Sequence, residues 1–342
     1  MKKHSADDIK FMKLAIRQAE KGIGSVSPNP AVGAVIVKDG IVIGAGYHHR
    51  AGMPHAEVEA IRNVADVSQC KGATIYVTLE PCCTTGRTPP CCEAIIRHGF
   101  SRVVVGCCDP NPAHAGRGYT LLRSHGIEVV EDVCRERCAA LNEPFFYWIR
   151  TKRPFVVLKL AETLDGRIAT AGGSSQWITG PVARKHVMAL RKQADAVMVG
   201  GETFRLDNPS LTVRTVSGKV LKTPRRFVAS RRITADQLPD GWESADVVTP
   251  EKWDMFLTRL GEEQVTMLLL EGGGELAASA LSAGIVNKLE MHIAPKLLGG
   301  RGSRPSIGGA DPERISDGYT LRDVRWRKAG EDWIVTCYPE RN

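Results

Sequence analysis

The 342-residue sequence contains no apolar run approaching the roughly eighteen residues that a membrane-spanning helix requires. Its first stretch, "MKKHSADDIKFMKLAIRQAEKG", has positive charge but no apolar core of the kind a secretory signal needs. A basic block is missing as well. The net charge is +8, yet residues 1–150 carry 18 basic and 15 acidic groups, leaving 46 − 18 = 28 against 38 − 15 = 23 for the remainder. An excess spread in this way suits solubility or an anionic small molecule better than a nucleic-acid track. No Gly-x-Gly-x-x-Gly follows a strand, so a Rossmann dinucleotide site is not supported. The expectation is a cytoplasmic protein with neither a membrane nor a nucleic acid as partner. In that compartment thiols stay reduced, and the ten cysteines read as metal ligands or buried side chains rather than as disulfides.

What is present is length enough for two domains and two successive strand–helix series. Apolar or long residues at Phe11, Leu14, Ala15, Gln18 and Ala19 predict an amphipathic helix that stops at Gly22. "AVGAVIVKDGIVIGAGYHH" predicts a hairpin turning at Asp39-Gly40. Then "HAEVEAIRNVA", "CCEAIIRHG" and "GYTLLRSHG" read as helices, and "GATIYVTLE", "SRVVVGCCD" and "IEVVED" as strands. Helices between the later strands imply parallel pairing with helices over the sheet. The pattern pauses at "NEPFFYWIRTKRPF", where Pro144 and Pro154 flank an aromatic stretch. A second α/β series follows, from "FVVLKLAETLDGRIA" to "KLEMHIAPKLLGG". The expected domains are residues 1–147 and 148–342.

The chemistry concentrates in "VTLEPCCTTGRTPPCC", residues 77–92, with two cysteine doublets each following a proline. A catalytic zinc takes three protein ligands and leaves one position for water. "PHAE" supplies His55 and, two residues on, Glu57. Positions i and i+2 do not share a helix face, so both reach one site only from the irregular first turn after Pro54. Cys82 and Cys91 are the natural thiolate pair, and Cys83 and Cys92 are packing residues. The competing reading, four small buried hydrophobes, weakens once "HAE" is taken into account. His-x-Glu followed by Pro-Cys is the signature of zinc deaminases, in which the glutamate moves protons and does not bind metal. Here nine positions separate the two cysteines, a departure that resembles a subgroup of these deaminases whose enlarged loop holds a substrate phosphate.

Several motifs then occur in order: "SPNPAVGAVIV", "GYHHRAGMPHAE", "VTLEPCCTTGRTPPC", "CDPNPAHAGRG", "LKLAETLDGRIATAGGSSQWITG", "ARKHVMALRKQADAVMVGGETF", "DNPSLTVR" and "LLLEGGGELAASAL". Together they resemble the RibD family of bifunctional riboflavin-biosynthesis deaminase/reductases over nearly the whole chain, roughly residues 5 to 337. The resemblance implies a cytidine-deaminase-like α/β/α zinc domain followed by a dihydrofolate-reductase-like α/β domain. It implies one zinc per chain on His55, Cys82 and Cys91, with Glu57 carrying the proton from water to the leaving ammonia. Asn29 would read the pyrimidine edge, and His48, Arg87, Asp109 and Asn111 would hold the ribose and its phosphate. Turn or capping roles are the plain alternatives for Asn29, Asp109 and Asn111. The family usually has a histidine where this chain has Thr84.

For the second half the resemblance implies NADPH bound at Gly272, Gly273 and Gly274, with Ala161, Trp177, Thr203 and Asp207 as neighbours. Glycines at such strand–helix junctions let backbone N–H groups approach a pyrophosphate; a tight turn is the alternative. Lys159, Thr163, Arg184, Arg214 and Glu271 would contact substrate, the two arginines as phosphate clamps. The implied reactions are deamination of 2,5-diamino-6-(5-phosphoribosylamino)pyrimidin-4(3H)-one, then reduction of the ribosyl group to ribityl. The implied partners are small ribosylaminopyrimidine phosphates and further copies of the chain, joined through the reductase half. Two rival readings are an RNA-associated zinc module and a deaminase of free nucleosides or nucleotides.

Overall fold

The computed structural model describes residues 4–84, 89–111, 114–215 and 217–340. The chain divides into two compact units, Met1–Thr151 and Lys152–Asn342.

The first unit runs α1 Ala6–Gly22, β1 Gly33–Lys38, β2 Ile41–Tyr47, α2 Ala56–Arg62, β3 Thr74–Val77, α3 Cys91–Arg97, β4 Arg102–Val105, α4 Arg117–Ser124, β5 Glu128–Val130, α5 Arg135–Leu141 and α6 Glu143–Thr151. Its sheet has the order β2-β1-β3-β4-β5. The β1–β2 hairpin is antiparallel, β3 is antiparallel to β1, and β3, β4 and β5 are parallel. Strand alternation sends successive side chains to opposite faces. Ala34, Ile36, Ile75, Val77, Val103 and Val105 face one cluster with Ala56, Ala60, Ile61 and Ile95. Val35, Val37, Tyr76 and Val104 face the other, with Phe11, Met12, Ala15 and Ile16 of α1. The sheet is thus covered on both sides, and each fully buried Val or Ile contributes about 1.5–3 kcal/mol.

Close backbone approach fixes α2. A Cβ at Gly46 would lie 2.4 Å from the backbone N of Ala60, so only glycine lets β2 and α2 meet so closely. Asp8, in the first turn of α1, accepts two bonds from Arg102 of β4 at 2.7 and 3.0 Å and one from the Tyr76 hydroxyl at 3.1 Å. The stretch expected to interrupt the pattern is instead the helix α6, with Pro144 in its first turn, where a missing N–H costs nothing. This helix runs through the expected boundary at 147/148, and the division between units falls after its last residue.

The second unit runs β6 Phe155–Thr163, β7 Arg167–Ala169, α7 Pro181–Gln193, β8 Ala196–Gly200, α8 Gly201–Asp207, β9 Val213–Arg214, β10 Val220–Lys222, β11 Arg225–Ala229, β12 Trp242–Ala245, α9 Pro250–Glu262, β13 Met267–Glu271, α10 Gly274–Ser282, β14 Lys288–Ala294, β15 Arg304–Pro305, β16 Leu321–Ala329 and β17 Asp332–Pro339. Eight strands form one sheet in the order β12-β11-β8-β13-β6-β14-β17-β16. It is parallel from β12 to β14 and antiparallel at β17 and β16. Leu158, Leu160, Met198, Phe227, Leu268 and Leu270 pack with Trp253, Leu257, Leu260 and Ala277 of α9 and α10. Lys159, Glu271 and Glu290 are register partners on the opposite face. Three charged side chains side by side in the middle of that face mark it for another use.

Candidate functional site

In the first unit, α2 starts just after Pro54 with His55 as its N-cap residue, and Glu57 lies in its first turn. Cys91 opens α3 after Pro90. Cys82 Sγ is 3.5 Å from His55 Nδ1, Cys91 Sγ is 3.3 Å from the same nitrogen, and the Cys91 backbone N–H donates to Cys82 Sγ at 3.3 Å. All three ligand atoms lie within 4.8 Å of one another. One nitrogen and two sulfurs at these separations match the edges of a tetrahedral zinc site, about 3.6 Å for metal bonds of about 2.0–2.3 Å. The donor set fits zinc and leaves a fourth position open.

The charges agree. Cys82 is pulled down to about 4, first by its bond with the Cys91 thiol and then, against burial, by His55. Cys91 is held well above the ordinary thiol value, first by that bond and then by burial, so the pair shares one proton. Its bond with Cys82 raises the His55 pKa. Glu57 is 3% exposed, and burial pushes its carboxyl up to about 7. Cys92 points away, its thiol 3.4 Å from the Pro81 carbonyl, and Cys83 packs at the edge of the apolar cluster.

Asn29 and His48 sit beside this centre. The His48 ring is 5.3 Å from that of His55. Its Nδ1 lies 3.0 Å from the Pro54 carbonyl and its Nε2 3.0 Å from Asn29 Nδ2. That network assigns the proton to Nδ1 and makes Nε2 an acceptor. Burial lowers the His48 pKa and favours the neutral ring. Asp109 is buried and its Oδ1 accepts the Asn111 N–H at 2.8 Å, so it caps its own loop. Arg87 lies outside the described residues.

Two residues here escaped sequence reasoning. Buried Glu80 accepts from the backbone N–H groups of Asp109, Gly116 and Gly118 at 3.0–3.2 Å and from the Cys108 thiol at 3.0 Å, which ties the Asp109 loop to the end of β3. A charge closing an apolar strand, as in "VTLEP", was the available signal. His114 Nδ1 lies 3.3 Å from Thr84 Oγ1, so an imidazole stands against the threonine after all.

The second unit holds a cavity of about 1800 Å³ on the charged side of its sheet. Every reductase-side candidate lines it except Thr163. The Thr163 hydroxyl instead donates to Asp165 Oδ1 at 2.6 Å and accepts the Arg167 N–H at 3.0 Å, closing the turn after β6. Gly272 and Gly273 have φ of 73° and 84°, and a Cβ on Gly273 would lie 3.2 Å from Thr203 Oγ1. At Gly274, the first residue of α10, a Cβ would lie 2.8 Å from the Pro305 carbonyl. A bare backbone at a helix N-terminus suits the pyrophosphate of a dinucleotide. Arg184 stacks over Trp177 at 4.7 Å and donates to the Thr179 carbonyl. Arg214 Nε donates to Thr212 Oγ1, and Asp207 accepts from Ser175.

Glu271 does not stand free in the cavity wall. Arg191 of α7 grips both its oxygens at 2.6 and 2.8 Å. Burial raises the Glu271 pKa, but the Arg191 charge and hydrogen bonds more than reverse this, and the group is a carboxylate. Arg191 lies 80 positions away in sequence, and nothing in the local pattern announces the pair. Burial lowers the pKa of Lys159, between Glu271 and Glu290 in the strand register.

Comparison with known proteins agrees with both halves. The profile of the "Cytidine and deoxycytidylate deaminase zinc-binding region" matches residues 5–107, and that of the "RibD C-terminal domain" matches residues 154–335. The riboflavin biosynthesis protein RibD of Actinobacillus pleuropneumoniae is 41% identical over 96% of this chain and 94% of that protein. Its counterpart in Escherichia coli K12 is 40% identical over 94% of this chain and 96% of that protein. A Thermotoga maritima structure, described as a diaminohydroxyphosphoribosylaminopyrimidine deaminase/5-amino-6-(5-phosphoribosylamino)uracil reductase, superposes with a TM-score of 0.85. It is 34% identical, over 98% of this chain and 99% of that one. Acinetobacter baumannii RibD, form 1, gives a TM-score of 0.84 at 37% identity, over 98% and 99%. The chain therefore belongs to the RibD family, the bifunctional deaminase/reductases of riboflavin biosynthesis.

Proposed function

We propose that the Met1–Thr151 unit removes the amino group of the diaminopyrimidine ribosylamino phosphate and that the Lys152–Asn342 unit then reduces the ribosyl group. The observation that carries this is the meeting of His55, Cys82 and Cys91 with buried Glu57 beside them, in the same chain as the glycine-lined cavity. His55, Cys82 and Cys91 hold the zinc, which when bound makes water acidic enough to attack at neutral pH. Glu57 takes a proton from the attacking water at a carboxylate oxygen and passes it to the adjacent ring nitrogen, then carries the remaining hydroxyl proton to the departing amino nitrogen, so that ammonia leaves as the carbonyl forms. Asn29, oriented by neutral His48, reads the ring edge with its amide. Asp109 and Asn111, held by Glu80, shape the ribose and phosphate end with Arg87.

In the second unit Gly272, Gly273 and Gly274 receive the pyrophosphate of NADPH, with Ala161, Trp177, Thr203 and Asp207 around it. When bound, NADPH supplies the hydride for C1′. Arg184 and Arg214 bind the substrate phosphate, and Lys159 and Glu271 lie at its sugar end. A proton on Lys159, already made less secure by burial, suits the sugar oxygen freed as the ring opens. Thr163 acts through the turn it closes. The unit boundary after Thr151 is taken as the domain boundary. A thiol-rich metal site and ten free cysteines suit a reducing cytoplasm, and self-association through the reductase unit completes the reading.

The test follows ammonia release from the diaminopyrimidine substrate without NADPH, then NADPH oxidation once it is added. Both signals in that order are expected. NADPH oxidation before any ammonia appears would contradict the assigned order.

A further inference from the structure

The charged face of the second unit carries one more cluster, outside the cavity wall. Glu290 and His292 sit two apart on β14, so their side chains share a face. His186 of α7 lies over them, its Nε2 2.8 Å from Glu290 Oε2. His292 Nε2 is 3.9 Å from the same oxygen, beyond hydrogen-bonding distance, and the two rings are 5.4 Å apart. The three ligand atoms lie within 4.8 Å of one another. His292 is 0% exposed, and neither of its ring nitrogens has a hydrogen-bond partner.

A fully buried imidazole with both nitrogens unpaired is unusual, since buried polar atoms are paired in the great majority of cases. Here the unpaired ring lies against a carboxylate and a second imidazole. Two histidines and a glutamate are a recurrent three-ligand zinc set. The edges of a tetrahedral site with metal bonds of about 2.0–2.2 Å are about 3.3–3.5 Å, and the observed 2.8 and 3.9 Å bracket that value. We propose that His186, Glu290 and His292 form a second zinc-type cation site, in the reductase unit and independent of the cysteine centre.

Proton placement is consistent with this. Arg327 Nη2 lies 3.1 Å from His186 Nδ1, and arginine can only donate. Without metal, then, Nδ1 accepts from Arg327, and the His186 proton sits on Nε2 and bonds Glu290. Metal binding at Nε2 moves that proton to Nδ1, the ring stays neutral, and the exposed Arg327 side chain turns away. The cation joins α7 to β14 in place of one hydrogen bond, and it gives His292 a partner. Two cations oppose it: Arg327, and Lys159, the register partner of Glu290. Glu271, which also faces this side, is already taken by Arg191. The site is therefore weaker than the cysteine centre and loses metal first to a chelator.

The test uses the full chain, reduced and stripped of metal, dialysed against buffered free Zn2+. Two zinc ions per chain are expected at saturation, falling to one in His186→Gln and to one, of the weaker class, in Cys82→Ser. His186 is about a quarter exposed, at 26%, so this variant should fold, and its melting temperature checks that it has. Arg327→Gln should tighten the weaker class. With Co2+, the wild type should show visible bands without thiolate charge transfer that are absent from His186→Gln. A wild type that saturates at one zinc overturns the proposal. So does a His186→Gln variant that still binds two, or an Arg327→Gln variant that binds more weakly.

Discussion

The two sites are built in opposite ways. The cysteine centre draws its ligands from the first residues of two short helices and the loop between strand and helix, all fixed by close packing. The reductase cavity is a wide space lined by strand ends and glycine turns, in which ion pairs hold the wall. In the first, function follows from a few atoms within 4.8 Å of one another. In the second it follows from a surface shaped for two large ligands. Changes to ligand atoms should therefore abolish activity in the first unit, whereas changes to shape or pairing should grade it in the second.

The largest effect should come from Cys82→Ser. Metal content at that centre is lost and ammonia release falls by roughly 10³-fold or more, because water loses its activator. Reductase turnover on the aminouracil substrate is unaffected. Next, Arg191→Leu leaves Glu271 buried without its partner and should destabilise the second unit by about 3–5 kcal/mol in chemical denaturation. Arg191→Leu combined with Glu271→Leu should recover much of that loss, which separates an orphaned charge from lost packing. Gly273→Ala places a side chain at φ 84° and 3.2 Å from Thr203 Oγ1. Strain on the order of 1–3 kcal/mol should raise the NADPH KM roughly tenfold with little change in ammonia release.

The smallest effect concerns pH and the first unit. Hydrogen bonds from Arg102, opposed by burial, hold the Asp8 carboxyl below its ordinary value. The folded pKa is depressed, so its stabilisation is present above the unfolded value of about 3.9 and is lost as pH falls through the lower folded value. Asp8→Asn should be less stable than wild type at pH 6, and the gap should close as pH drops below about 4. A gap that stays constant with pH would remove the ion pair from the account.

The contrast also decides what could be read from the sequence. His55, Glu57, Cys82 and Cys91 belong to residue types with few other uses at that spacing, and the alternating strands around them announced their own pairing. The junction "LLLEGGGELAASAL" was legible because strand, glycine turn and helix follow one another without interruption. The edge strand Leu321–Ala329 was not, since only its last residue is buried and its charged side chains hide any alternation. Helix Glu143–Thr151 was missed because a proline in its first turn reads as a break. The grip of Arg191 on Glu271 and of Glu80 on the Asp109 loop depends on contacts 80 and 29 positions apart. Local pattern does not carry such contacts. Thr163 shows a local role that its motif did not announce: its hydroxyl donates to Asp165 and accepts the Arg167 N–H within its own turn.

The most direct test of two chemistries in two units is Glu57→Gln assayed for NADPH oxidation with each substrate in turn. The account predicts wild-type oxidation with the aminouracil ribosylamino phosphate. With the diaminopyrimidine it predicts oxidation reduced by roughly 10²–10⁴-fold, in step with ammonia release. Equal loss with both substrates, or undiminished ammonia release, would contradict it.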